Sequence, residues 1–317
     1  MIIITGGAGF IGSNLVRAFN NAGREDIVVV DDLSDGCKFE NIADCHIADY
    51  LDKDEFRKII NINNKHFENP EIVFHLGACS DTTEWDGRFM LDNNFSYSKE
   101  LLHFCTQLKV PFIYASSASV YGANTEFGEN RSNEKPINVY AYSKLLFDNY
   151  VRVLIGKSES QIIGLRYFNV FGRGEAHKGA MSSVVYQFNK QLNTSAKVKL
   201  FEGDDEFLPG EQLRDFIHVD DIIKLNLWFM NKPQVSGVYN AGTGVPRTFN
   251  DVAKAVIEWH SHGDIEYIPF PEKLKGSYQS YTKADLSQLN SIGCKNEFQS
   301  LEAGVKEYLD WLNRTAV

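Results

Sequence analysis

Apolar residues fall along this chain in two alternating rhythms. Short runs rich in aliphatic and β-branched residues, at Met1–Thr5, Ile27–Val30, Ile72–Ala78 and Val110–Ala115, are too short for helices and read as buried parallel strands. Helical spacing marks Ser13–Ala22, Tyr97–Leu108 (apolar at Leu101, Leu102, Cys105 and Leu108), a helix opening at Val139, Asp251–His260 and Leu301–Leu312. Strands that alternate with helices predict an α/β fold, a Rossmann-like doubly wound parallel sheet with ligands at the carboxyl ends of its strands. Residues 169–215 and the stretch after Thr243 fit poorly as more of that sheet. Glycines at 172, 174 and 179 mark one long loop, and Gly203 to Gly210 another. The predicted division is therefore 1–168 and 216–243 as a dinucleotide-binding domain, with 169–215 and 244–317 as a smaller α/β substrate-binding lobe. A return of the C-terminal helix to the larger domain is left open.

The dinucleotide assignment rests on the first strand. It ends in Thr5-Gly6-Gly7-Ala8-Gly9-Phe10-Ile11-Gly12, with overlapping glycine registers at Gly7/Gly9/Gly12 and Gly6/Gly9/Gly12. Glycines let backbone N–H groups approach a pyrophosphate, and the helix that follows adds partial positive charge. Such turns also occur without a ligand, so the second strand is the test. Asp31 and Asp32 end it nineteen and twenty residues after Gly12, where a carboxylate can accept hydrogen bonds from an adenosine ribose. Lys38 and Lys53 are candidate partners for a 2′-phosphate, although each taken singly reads better as a solvated surface lysine. Carboxylates favour NAD and lysines NADP.

A second cluster lies further on. Val110–Ala115 runs into Ser116-Ser117-Ala118-Ser119-Val120-Tyr121-Gly122, and Tyr140 and Lys144 share one face of the helix that opens at Val139. An ammonium beside a phenol favours the phenolate, which makes Tyr140 a candidate base on a substrate hydroxyl, with Ser117 bonding the same oxygen. Y-x-x-x-K alone describes many amphipathic helices. Joined to the glycine turn and the serine-bearing strand end, it points to chemistry.

Length and composition limit the rest. At 317 residues the chain exceeds one average domain, and 43% hydrophobic with 23% charged residues is ordinary for a globule. A net charge of −10 argues against a nucleic-acid or anionic-membrane surface, while a small anion needs only a local basic pocket, such as Arg214 with the segment Lys273 to Tyr278. No apolar stretch approaches the length of a membrane span, and the chain starts in a strand rather than a signal peptide, so a cytoplasmic location is expected. The five cysteines form no C-x-x-C pair, which fits reduced structural thiols and no metal site.

TGGAGFIG, Asp31, SSASVYG, YAYSK, RDFIHVDD (214–221) and YNAGTG (239–244) resemble the extended short-chain dehydrogenase/reductase superfamily of nucleotide-sugar epimerases and dehydratases. Within it, DTTEWDG (81–87), RYFNVFG (166–172), His177-Lys178-Gly179, Phe201-Glu202-Gly203 and PFPEKLKG (269–276) are similar to the ADP-heptose 6-epimerases, over nearly the whole chain.

The resemblance implies an isomerase that inverts C6 of the heptose in ADP-D-glycero-β-D-manno-heptose. Hydride passes to a bound oxidised nicotinamide, a 6-ketone forms, and the hydride returns to the other face. It assigns acid/base roles to Tyr140 and Lys178, with Lys144 tuning Tyr140 and Ser117 polarising the carbonyl oxygen. The implied cofactor contacts are Gly6, Gly9, Phe10, Ile11, Gly12, Asp31, Asp32, Lys38, Lys53, Leu76, Gly77, Ala78, Cys79, Ser80, Asn93, Tyr140, Lys144, Val170 and Lys178. The implied substrate contacts are Ser117, Asn169, Ala180, Gln187, Phe201, Glu202, Gly203, Asp204, Arg214 and Tyr278. NADP is the implied cofactor, with NAD as the alternative, and the implied assembly is a homo-oligomer, a pentamer. The implied product is a precursor for the lipopolysaccharide inner core. Asp32 departs from the family, where an amide is common; Ala180 and Gln187 replace Ser and His; and the stretch Phe207 to Leu213 is longer. Rival readings are a UDP-hexose 4-epimerase, which needs no Lys178, and a non-catalytic dinucleotide sensor. A 4,6-dehydratase fits less well, because Ala118-Ser119 stands where that class has Asp-Glu.

Overall fold

The computed structural model describes the chain apart from residues 63–66, 68–69, 204–206, 272–278, 296 and 315–317. Its elements begin with β1 (Ile2–Thr5), α1 (Phe10–Asn21), β2 (Ile27–Asp31), β3 (Asp49–Asp52), α2 (Lys53–Ile62), β4 (Ile72–His75), α3 (Gly87–Leu91), α4 (Tyr97–Leu108), β5 (Phe112–Ser117), α5 (Val139–Leu154) and β6 (Ile162–Tyr167). They continue with β7 (Asn169–Phe171), α6 (Val184–Ser195), β8 (Lys197–Phe201), β9 (Leu213–Arg214), β10 (Phe216–His218), α7 (Val219–Met230), β11 (Gly237–Ala241), β12 (Arg247–Thr248), α8 (Phe249–His260), β13 (Asp264–Ile268), α9 (Ser287–Ser291) and α10 (Leu301–Arg314).

Seven strands form one sheet in the order β11-β6-β5-β4-β1-β2-β3. The pairs from β3 to β6 are parallel, with Ile2 of β1 opposite Ile27 on one side and Ile72 on the other. This is the Rossmann-like arrangement that the alternation of strands and helices predicts. β1, β2, β4 and β6 are buried along their whole lengths, as strands covered on both faces must be. This is why Ile2 to Ile4, Ile27 to Val30 and Ile72 to Phe74 read as apolar runs, whereas β6 carries Arg166, buried and paired with Asp148 at 2.9 Å. Ile3, Val28, Val73, Leu101, Leu102, Phe112 and Phe147 belong to the core that joins sheet and helices.

The described chain divides into two compact units. The first comprises Met1–Val120, Pro136–Tyr167 and Ile223–Tyr239, and the second Tyr121–Lys135, Phe168–Ile222 and Asn240–Val317. In the second unit the strands pair only two at a time, β10 with β7, β12 with β9 and β13 with β8. Phe188, Leu192, Val198, Val252, Val256, Val305 and Leu309, from α6, β8, α8 and α10, fill its core.

Several element ends differ from the pattern reading by two or three residues, among them β4, which ends at His75 rather than Ala78, β5, which runs from Phe112 to Ser117, and α8, which begins at Phe249; the start of α1 changes the turn itself. α1 begins at Phe10 rather than Ser13, because Gly9 is already the extended N-cap, with φ −76° and ψ −178°. The turn is therefore shorter than expected, and Gly12 lies inside the helix. No helix among the described residues is long and apolar enough to cross a membrane.

Candidate active site

The first unit holds a cavity of about 240 Å³ at the carboxyl ends of β1, β2 and β4. Gly6, Asp31, Asp32, Lys38, Lys53, Gly77, Ala78, Cys79 and Asn93 line it, with Thr5, Val30, Phe89 and Tyr97. Gly6 has φ +68°, and a Cβ there would meet the backbone of Leu76 and Gly77; a Cβ on Gly12 would strike the Gly6 carbonyl oxygen. The glycines thus serve close backbone approach between the β1 turn, the segment after β4 and α1. The amides at the start of α1 have no side-chain cap and no acidic residue in the first turn, which leaves them suited to an anion.

Asp31 is buried at the floor of this region. Its carboxylate accepts the Ala8 N–H at 2.8 Å, the Asp32 N–H at 2.7 Å and the Lys38 Nζ at 2.9 Å. Lys53 donates to Asn93 Oδ1 at 3.1 Å and lies 3.5 Å from the Asp32 carboxylate. Hydrogen bonds from Ser34, and the charges of Lys53 and Lys38, hold the Asp32 carboxyl below its ordinary range. Acceptors for ribose hydroxyls and cations for a phosphate therefore stand side by side beside uncapped helix amides, a donor and acceptor set that fits a dinucleotide. Of the remaining expected cofactor contacts, Gly9, Phe10, Ile11 and Gly12 belong to the turn and the first turn of α1, and Leu76 and Ser80 follow β4.

Ser117, Tyr140 and Lys144 meet in the same unit. Ser117 ends β5, and Asn138 caps α5 by accepting the Ala141 N–H at 2.8 Å, which sets Tyr140 in the first turn of that helix. The Tyr140 hydroxyl is hydrogen-bonded to Ser117, whose Oγ also accepts the Ser119 hydroxyl at 2.9 Å. Lys144 is buried and donates to the Ala115 carbonyl at 2.9 Å. The expected electrostatics are corrected here. Desolvation raises the Tyr140 phenol above its ordinary value, against the lowering effect of Ser117, and desolvation brings Lys144 down to about 8. Burial outweighs the pairing that sequence spacing suggested, because both charged forms are taken out of water.

Sequence reasoning missed the supports behind these groups. Asn94 accepts the Cys79 N–H at 2.8 Å, donates to the Cys79 carbonyl at 2.9 Å and reaches the Ser143 hydroxyl at 3.0 Å. It lies in a π-helical turn, Asp92–Ser96, which the apolar spacing does not announce. Asp148, one turn after Lys144, accepts from Tyr114 at 2.9 Å, Ser116 at 3.0 Å and the buried Arg166 at 2.9 Å. The i, i+4 spacing from Lys144 was the available signal for it.

The second unit holds the other expected residues. Lys178 lies in a 3-10 turn, Ala176–Met181, where desolvation lowers its ammonium and Glu175 opposes that shift. Ala180 is exposed on the same turn, and Gln187 of α6 donates to the Gly179 carbonyl at 2.7 Å and the Ser182 hydroxyl at 2.6 Å. Asn169 and Val170 are on β7, and Asn169 donates its N–H to the Asp215 carbonyl at 3.0 Å. Phe201 ends β8, followed by the exposed Glu202 and by Gly203. Arg214 is buried on β9, its guanidinium 5.7 Å from the centre of the Phe249 ring. Asp204 and Tyr278, with Lys273 and Lys275, lie outside the described residues.

Residues 2–242 match the NAD dependent epimerase/dehydratase family. An ADP-L-glycero-D-manno-heptose-6-epimerase of Alkalilimnicola ehrlichii is 58% identical over 98% of this chain and 97% of its own. The crystal structure of ADP-L-glycero-D-manno-heptose-6-epimerase from Helicobacter pylori is 33% identical with a TM-score of 0.82, covering 98% of this chain and 96% of that one. A Thermus thermophilus UDP-glucose 4-epimerase in complex with NAD is 26% identical, with a TM-score of 0.76 and coverage of 100% and 99%. The chain belongs to the NAD dependent epimerase/dehydratase family, on the branch of the ADP-L-glycero-D-manno-heptose-6-epimerases.

Proposed function

We propose that this protein inverts C6 of the heptose in ADP-D-glycero-β-D-manno-heptose, giving ADP-L-glycero-β-D-manno-heptose through a transient 6-ketone. The whole-length likeness to the Alkalilimnicola ehrlichii enzyme carries this reading. The Ser117, Tyr140 and Lys144 cluster, beside the Asp31 cavity, supplies the chemistry it needs. A secondary alcohol carbon has no acidic proton, so a base alone cannot invert it. A bound oxidised nicotinamide supplies the redox step by taking the C6 hydrogen and returning it.

The chain's residues move the hydroxyl proton. Because the oxygen lies in different places in the two epimers, two groups are required: Tyr140 serves one orientation and Lys178 the other. Ser117 donates to the carbonyl oxygen as charge gathers on it, and Lys144 orients Tyr140 and the nicotinamide ribose. The remaining substrate contacts are those named from the resemblance, with Asn169, Ala180, Gln187, Phe201 to Gly203 and Arg214 as the described members. Lys38 and Lys53 at the Asp31 and Asp32 carboxylates support NADP, and the chains associate as a homo-oligomer. In this reading the dinucleotide-binding part is the first compact unit and the substrate-binding part the second, so residues 121–135, 216–222 and 240–243 go with the second unit rather than with the dinucleotide-binding part that the sequence suggests.

The test is a proton NMR time course with ADP-D-glycero-β-D-manno-heptose and no added cofactor, beside Lys178→Met and a parallel UDP-galactose incubation. Epimerisation at C6 by the wild type, severely slowed in Lys178→Met, is expected. Conversion of UDP-galactose with no change in the heptose overturns the reading in favour of a 4-epimerase.

A further inference from the structure

The segment from Gly172 to Ser183 carries Lys178, and one carboxylate shapes it. Glu175 is fully buried. Its Oε1 accepts the Gly172 N–H at 3.3 Å and the Ser183 hydroxyl at 2.7 Å, and its Oε2 accepts the Ser183 N–H. Both ends of the loop are tied to a single side chain. The Glu175 carbonyl accepts the Lys178 N–H at 3.0 Å, so the lysine sits in the turn that this carboxylate anchors. Immediately after Lys178 the backbone turns through Gly179, with φ +54° and ψ −120°, a conformation that only glycine adopts without strain.

Ser183 is the N-cap of α6, which places Glu175 where helix amides add positive potential. From α10, the buried Tyr308 phenol interacts with Glu175, and burial together with that carboxylate holds it protonated. The titratable groups around the carboxylate are thus Lys178 on its own loop and Tyr308 on α10, with Tyr186 of α6 acting on Tyr308. A buried carboxylate is costly to keep unless its lone pairs are met, and here three donors meet them. A neutral side chain could close a loop without that cost. A charge does something a neutral group does not: it acts on the neighbouring ammonium, opposing the desolvation that drives Lys178 toward its neutral form.

We propose that Glu175 is a positioning residue for Lys178, fastening both ends of the 172–183 loop and setting the charge that the lysine faces. The proposal rests on Lys178 as the second acid/base group. The test compares pH–rate profiles of epimerisation, and amide hydrogen exchange over residues 172–183, for the wild type, Glu175→Gln, Glu175→Asp and Lys178→Met.

Glu175→Gln sets an amide NH₂ against the Ser183 N–H and removes the charge. The limb assigned to Lys178 is expected to move down by about one pH unit, with faster exchange at Gly172 and Ser183. Glu175→Asp keeps the charge on a shorter arm, so exchange should rise while the limb stays. A Glu175→Gln protein with the wild-type profile overturns the proposal. So does a Glu175→Asp protein whose limb moves as far as that of Glu175→Gln, and this arm decides the matter if Glu175→Gln does not fold. A wild-type rate in Lys178→Met instead overturns the role of Lys178, and the exchange data then still decide whether Glu175 ties the loop.

Discussion

Tyr140 and Lys178 are supported in opposite ways. Tyr140 stands in the first turn of a capped helix, bonded to the end of a central strand and backed by Asn94 and Asp148 through neighbouring residues. Lys178 stands in a short turn held by a buried carboxylate and a glycine with φ +54°. Burial acts on both, raising the phenol and lowering the ammonium. The lesson is that low polarity favours the neutral form of each group, so Tyr140 holds its proton while Lys178 gives its proton up more readily.

The largest expected effect tests whether the two groups are partners. Tyr140→Phe and Lys178→Met should each slow C6 epimerisation by about 10²–10⁴-fold, read by the NMR time course. A full rate in either variant breaks the comparison.

Acid should separate the two regions next. His75, buried in β4 between Thr5 and Ser98, is held down to about 3 by desolvation and Lys144. Unfolding lets it regain its ordinary value near 6.5, so the unfolded chain binds the extra proton. Stability from His75 is then full above pH 6.5 and lost as pH falls toward 3. The cost is about 2 kcal/mol between pH 7 and pH 5, measured by urea denaturation, and His75→Gln should flatten that slope. Glu175 has the opposite sign. Burial raises its carboxyl, so its contribution is fully present below the ordinary carboxylate range and is lost as pH rises through the raised value.

Smaller effects sharpen the picture. Gly179→Ala should cost about 1–2 kcal/mol, although nothing lies within 4 Å of the added Cβ. The strain is in the backbone, and it should appear as faster exchange near Lys178 with the Tyr140 helix unchanged. Lys38→Ala should weaken NADP binding about tenfold while leaving NAD binding nearly unaltered, read by calorimetric titration.

The sheet was legible because parallel strands covered on both faces have to be apolar without interruption, as Ile2 to Ile4 and Ile27 to Val30 are. Tyr97–Leu108 was legible as a helix to the residue. The start of α1 was misplaced because a glycine reads as a turn whether it precedes a helix or packs inside one, as Gly12 does. Ser117, Tyr140 and Lys144 were legible as a set because spacing along a helix and the end of a strand bring them together. Their proton affinities were not, because desolvation depends on everything packed around a group and on nothing in its own spacing.

Glu175 marks the same limit more sharply. In the sequence it is one acidic residue beside a glycine and two positions before a histidine; in the fold it is a buried carboxylate meeting three donors. Local pattern by itself determined four strands of the central sheet and the alternation of strand with helix, the glycine turn with its acidic partner after the second strand, and the tyrosine and lysine on one helix face. These depend on the period of the backbone and on residues close along the chain. Tertiary structure decided which charges are buried and which buried polar groups find partners, because solvent exclusion and hydrogen-bond satisfaction arise where distant segments meet.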